Sequence, residues 1–191
     1  MTHYFISDTH FGHDTAALEY SGRPFDTIEE HDAYLIDKWN KVVTSSDTVW
    51  HLGDFAHDSA DPKQLRRIFG KLNGSKHLIS GNHDKKSVKE LPWSSVRDYA
   101  EISVDGTRLV LSHYPMRAWN AMRHGSIQLF GHCHGKMSMN AQQCDVGVDV
   151  WNLMPVDYPT IRDYLKTLPQ IIYEPGSDDW TLEQREPALT V

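Results

Sequence analysis

Asp8-Thr9-His10 and His132-Cys133-His134 each place two metal-capable side chains two positions apart. In extended backbone such a pair points to one side, so each pair can serve one small volume. Asp54 and Asn82 follow Gly53 and Gly81, whose missing side chains permit sharp turns and close backbone approach. With His113, these residues offer carboxylate oxygen, amide oxygen and imidazole nitrogen, and no thiolate. That donor set suits Mn, Fe, Zn, Co or Ni rather than soft metals. Seven ligands exceed the roughly four that one zinc takes. They suit two metals with a shared bridge, and Asp54, with two oxygens, is the natural bridging residue.

Short apolar runs precede each of these groups. Tyr4–Ile6, Val49–Leu52, Leu78–Ile79, Leu109–Leu111 and Ile127–Phe130 are rich in aliphatic or aromatic residues and read as strands. In open α/β sheets, sites form beyond the carboxyl ends of the strands, so five strands ending in ligand-type residues point to one shared site. Helical spacing of Ile28, Leu35, Trp39 and Val42 predicts a helix over Thr27 to Val43, opened by a Thr27–Glu30 capping box. A second helix is expected from Pro62 to Leu72 with Asp61 as its N-cap. Asp105-Gly106 marks a hairpin between Ala100–Val104 and Thr107–Ser112. A short helix follows Pro159. The region 174–191 is expected to be a loosely ordered tail or an edge strand.

The chain has 191 residues, which fits one domain over 1–191, and its 39% hydrophobic and 24% charged content is that of a globular protein. A net charge of −7 argues against extended nucleic-acid binding through a broad basic face. Bound metals can still supply local positive charge for phosphate chemistry. The N-terminus has no apolar segment of the signal-peptide kind, and no run is long enough to cross a bilayer, so no membrane partner is expected. Cys133 and Cys144 make no disulfide framework, and a cytoplasmic location is the expectation.

Ser7-Asp8-Thr9-His10, Leu52-Gly53-Asp54, Gly81-Asn82-His83-Asp84, His113 and Gly131-His132-Cys133-His134, in this order, resemble the five blocks of the calcineurin-like metallophosphoesterase superfamily. Ser7 to His13 and Trp50 to Phe55 are similar to a small single-domain branch of bacterial and phage phosphoesterases. The resemblance implies an α/β fold, a four-layer αββα sandwich of two mixed sheets flanked by helices, with a dinuclear metal site at the sheet edge. It also implies Asp8, His10, Asp54 and His134 around one divalent ion, and Asp54, Asn82, His113 and His132 around the other. Manganese is the leading expectation for both ions, with Fe, Zn, Ni, Co and Mg as alternatives. His83 is then the catalytic histidine and Asp84 its orienting partner, although a turn-forming role for Asp84 stays open. The superfamily's protein phosphatases continue the Gly-Asp block with an Asp-Arg pair. Here Phe55-Ala56-His57-Asp58 stands in that place, which argues against a protein-phosphatase role.

Two dications less the charges of Asp8 and Asp54 leave roughly +2, a trap for anions inside an acidic protein. Such a pair activates a bridging hydroxide for in-line attack, while His83 protonates the leaving oxygen, a role worth about 10²–10⁴ in rate. Arg23, Arg117, His124 and His13 are candidate substrate contacts in loops flanking the blocks; His51 and His57 are expected to pack or face solvent, and Asp145 and Asp149 to be structural. The expected activity is hydrolysis of a small phosphorylated substrate, with diesters favoured over monoesters because no arginine cluster awaits a dianion. A metal-binding scaffold for protein contacts and a nuclease acting on short nucleic acid are the alternatives. His83 counts against the first, and the acidic balance against the second.

Overall fold

The computed structural model describes residues 1–13, 18, 22–57, 60–176 and 180–183. The two-residue period of the strands sorts its core into layers. In β1 (His3–Ile6), β2 (Thr48–His51) and β3 (Ser75–Ile79), neighbouring side chains face opposite sides. Ile6, Val49 and Leu78 pack with Leu35 and Trp39 of helix α1 (Ile28–Val42) and with Leu65 and Phe69 of helix α2 (Pro62–Lys71). Phe5, Trp50 and Ile79 face the other way and share a core with Leu109, Leu111 and Leu129.

Those last three belong to a second sheet. The first sheet adds the short helix α3 (Lys86–Lys89) and the edge strand β4 (Ser95–Arg97) beyond β3. Its order is β4-β3-β2-β1-β9, parallel except for β9 (Val156–Asp157), which runs antiparallel to β1. The second sheet has the order β5-β6-β7-β8. Here β5 (Tyr99–Val104) and β6 (Thr107–Ser112) form the hairpin, and β7 (Ile127–Phe130) and β8 (Gln143–Asp145) continue in parallel. Helix α4 (Tyr158–Leu165) inserts Tyr158, Ile161 and Leu165 into the core between the sheets. Two mixed sheets flanked by helices are thus the architecture that the resemblance implied.

Local chemistry fixes the helix starts. The Thr27 side chain accepts from the Glu30 amide, and Asp61 accepts from the amides of Lys63 and Gln64, which satisfies donors with no partner inside the helix. On its far side the second sheet is covered by a 3₁₀ turn (Met122–His124) and a two-stranded ribbon, β10 (Ile171–Tyr173) with β11 (Trp180–Leu182). Trp119, Met122, Ile171, Tyr173 and Trp180 there enclose Val110. The tail expected over 174–191 therefore contributes strand β11, while 177–179 and 184–191 lie outside the described residues. Among the described residues no helix is long and apolar enough to cross a membrane.

Candidate metal centre

The loops that leave β1, β2, β3, β6 and β7 converge at one edge of the stacked sheets. Backbone hydrogen bonds hold them in register: the Asp8 amide donates to Gly53 O (3.0 Å), His10 to Asp54 O (3.0 Å) and Gly131 to His113 O (2.9 Å). Asp8 (φ 59°), His10 (50°), Asp54 (55°), His132 (69°) and His134 (49°) all adopt left-handed backbone. For residues other than glycine this costs on the order of 1 kcal/mol or more each, and such strain gathers at functional sites. Glycine makes the approach possible: a side chain at Gly81 would overlap the Asp54 carboxylate, and one at Gly131 would overlap Ser7 and Asp8.

Two clusters result. Asp8, His10 and His134 each bring a ligand-type atom within 4.8 Å of the others, and so do Asp54, His113 and His132. Asp54 Oδ2 joins them, lying 3.4 Å from His113 Nε2 in its own cluster and 3.9 Å from His10 Nε2 in the other. Asn82 Oδ1 lies 3.1 Å from His113 Nε2. All seven residues singled out in the sequence are therefore brought to one place.

The chemistry of these atoms fits cations. His113 Nδ1 sits 2.8 Å from Leu52 O, and His134 Nδ1 sits 2.7 Å from Asp149 Oδ2. With each Nδ1–H donating there, each Nε2 presents a lone pair, an arrangement typical of metal-bound imidazoles. Those lone pairs face further acceptors: Asn82 Oδ1 and Asp54 Oδ2 for His113, and Asp8 Oδ1 at 4.0 Å for His134. Converging lone pairs need protons or metal ions among them. Protein groups alone push the buried Asp8 carboxyl up to about 7, chiefly through burial. Burial also pushes Asp54 up, but hydrogen bonding and charge from His113, with the His83 amide, outweigh it and hold Asp54 well below the carboxylate range. His113 and His134 rise because Asp54 and Asp149 overcome the opposing effect of burial, whereas His10 and His132 are lowered mainly by burial.

Comparison with known proteins agrees with this geometry. The model of the calcineurin-like phosphoesterase superfamily domain matches residues 1–155. The chain belongs to this superfamily. Membership supports phosphoester hydrolysis as the general chemistry of the site. The chain is 33% identical over 165 residues to an uncharacterised protein of Methanocaldococcus jannaschii, covering 83% of the chain and 88% of that protein. It is 30% identical over 183 residues to the gene 66 protein of Mycobacterium phage L5, covering 78% and 86%. Its fold is similar to a protein of unknown function from Aquifex aeolicus, with a TM-score of 0.65, 27% identity and coverage of 85% and 98%.

The other residues expected at the site divide sharply. His83 is half-buried at the site, its ring 5.4 Å from that of His10, and its amide donates to Asp54 Oδ1 (2.9 Å). The Asp84 carboxylate is not directed to His83. It accepts from the amides of Gly81, Asp54 and Phe55, locking two of the loops together, so the turn-forming reading is the one its geometry follows. Arg23 is no open substrate contact either: it is buried, and its guanidinium donates to Asp149, Thr9 O and Asp8 O. Arg117 lies against the Trp180 ring and donates to Trp180 O, which ties it to the β10–β11 ribbon. His124 lines a separate cavity with Glu101, Ser103 and Arg108. His13 does reach the site's rim: its ring is 5.7 Å from His10 and 3.8 Å from His57.

Sequence reading passed over several supports. Asp149, expected to be only structural, orients His134 and pairs with Arg23 at 2.8 Å. Its signal is chemical: a histidine that uses one nitrogen at a metal wants an acceptor for the other. His57, expected to pack or face solvent, sits beside the rings of His13 and His83. Ser7 Oγ donates to Asp8 Oδ2 (2.7 Å), fixing that carboxylate from behind.

Proposed function

We propose that the chain hydrolyses small phosphate esters with two divalent metal ions, manganese foremost. One ion would be held by Asp8, His10, Asp54 and His134, and the other by Asp54, Asn82, His113 and His132. The position of Asp54 Oδ2 within 4 Å of imidazoles from both clusters carries this reading. When bound, such a metal pair supplies a water-derived nucleophile at neutral pH and charge to balance the phosphoryl oxygens.

The protein's own groups do the rest. Leu52 O and Asp149 hold His113 and His134 in the tautomer that keeps Nε2 free for a metal. Asp84 and the Gly81 turn fix Asp54 between the clusters. Water adds to phosphorus as the ester P–O bond breaks, and the departing oxygen takes a proton from the His83 ring. Among candidate proton donors His83 is favoured because its amide hydrogen bond to Asp54 ties its position to the carboxylate that would be shared by both metals.

The test pairs metal analysis of purified protein with assays on aryl phosphate mono- and diesters in added manganese. About two metals per chain and manganese-stimulated hydrolysis are expected, with the diester turned over faster. His83→Ala should keep both metals and lose at least about a hundredfold in turnover. A wild-type protein that binds metal yet hydrolyses neither ester would overturn the proposal in favour of a scaffold.

A further inference from the structure

Beside the second cluster lies a cavity of about 290 Å³ lined by Ser80, Lys89, Asp98, Tyr114 and Met116, together with Asn82 and His113 of the cluster itself. A phosphate at the metals would thus open directly onto it. Tyr114 is 51% exposed, its ring is held by two contacts and its backbone is anchored separately. Its hydroxyl donates to Asn82 Oδ1 (3.2 Å), its ring lies 4.7 Å from His132, and its backbone oxygen accepts from Ser112 Oγ and Gln128 Nε2. A fixed, exposed ring is a stacking platform. The volume is at the low end of small-molecule sites, about 300 Å³ and upward, which suits one ring system with its sugar and not a longer oligomer.

His83 lies elsewhere. Its ring neighbours are His10 and His57 (5.4 and 5.2 Å), and it is not part of the cavity wall. An oxygen protonated by His83 must leave on that side, so a group seated against Tyr114 is not the leaving group. We infer that the Tyr114 cavity holds the retained arm of a phosphodiester, and that this arm carries a planar aromatic ring of the nucleoside or aryl kind. This rests on the hydrolase reading above. Met116 adds apolar surface to the ring's seat, and the exposed Lys89 and Asp98 add one charge of each sign, suited to the polar edge of a base or sugar.

Two chromogenic diesters with the same leaving group test it: thymidine 5′-(p-nitrophenyl phosphate) and methyl p-nitrophenyl phosphate, each with manganese-loaded protein. Stacking predicts at least about a tenfold preference in kcat/KM for the thymidine ester, expressed in KM. Tyr114→Ala should abolish the preference and Tyr114→Phe should keep it. Phenyl p-nitrophenyl phosphate separates the sources: equal preference identifies an aryl seat, and a lower one a nucleoside seat. No preference in the wild type, or a preference that survives Tyr114→Ala, overturns the inference while leaving the hydrolase intact. If neither ester is turned over, the hydrolase reading fails, and calorimetry then decides the cavity alone. Thymidine 5′-monophosphate should bind about tenfold tighter than methyl phosphate in the wild type and not in Tyr114→Ala; equal binding overturns it.

Discussion

Asp149 shows how one side chain can serve both stability and chemistry. Its carboxylate takes Arg23 on two nitrogens and His134 on Nδ1, and Arg23 in turn holds the carbonyl oxygens of Asp8 and Thr9. Burial pushes Asp149 up, but the hydrogen bonds from Arg23 and His134 outweigh it and hold the carboxyl well below the usual range. Removing it strands a buried guanidinium and releases the His134 ring. Asp149→Ala should therefore cost about 3–5 kcal/mol of stability and weaken metal binding by about 10–100-fold. Denaturant unfolding and a metal titration check the two effects separately. Unchanged metal affinity would show that Asp149 does not orient His134.

At the scale of elements, the strands bring the candidate ligands together only because the turns after them bend sharply. The turn after β3 depends on Gly81, whose Cα faces the Asp54 carboxylate too closely for a methyl group. Gly81→Ala should cost about 1–3 kcal/mol through overpacking and displace Asp54, so metal content should fall with the thermal midpoint. A variant with full metal content and normal melting would show that the close approach is dispensable. The elements themselves were largely legible. The short apolar runs at β1 and β2, the Thr27 and Asp61 caps and the Asp105-Gly106 turn are local signals, and local signals survive in a bare sequence. The strands β4, β8 and β9 were not legible, being two or three residues long and specified by their partners. The same holds for the loop residues. Arg23 and Asp149 are 126 positions apart, and nothing in either neighbourhood announces the pair. Ligand types, by contrast, were legible because metal chemistry restricts them. Arg117 and His124 were read as substrate contacts from nearness in sequence, and the structure sets the first against Trp180 and the second in a separate cavity.

The whole molecule keeps several ionisable groups in its interior, and its stability must answer to pH. His51 is fully buried, 2.9 Å from Thr9 Oγ1, and burial pushes its imidazole down to about 3. The unfolded chain protonates the same ring near the ordinary value of about 6.5. Between these limits the unfolded state holds one more proton, so stability falls as pH drops from about 6.5 towards 3. At pH 5 the loss amounts to about 2 kcal/mol. Denaturant midpoints followed from pH 7 to 5 should fall more steeply in the wild type than in His51→Gln, and parallel slopes would contradict the assignment to His51.

Both sheets, the strained loops and the buried acids converge on one arrangement, two Asp/His clusters that meet at the Asp54 carboxylate, which we propose holds two cations. Electron paramagnetic resonance of manganese-loaded protein reads that arrangement directly. Two ions bridged through Asp54 should give an exchange-coupled signal at about two manganese per chain, and Asp54→Asn should lose the coupling and weaken both sites together. A single uncoupled manganese per wild-type chain, or an Asp54→Asn variant with its coupled pair intact, would contradict it.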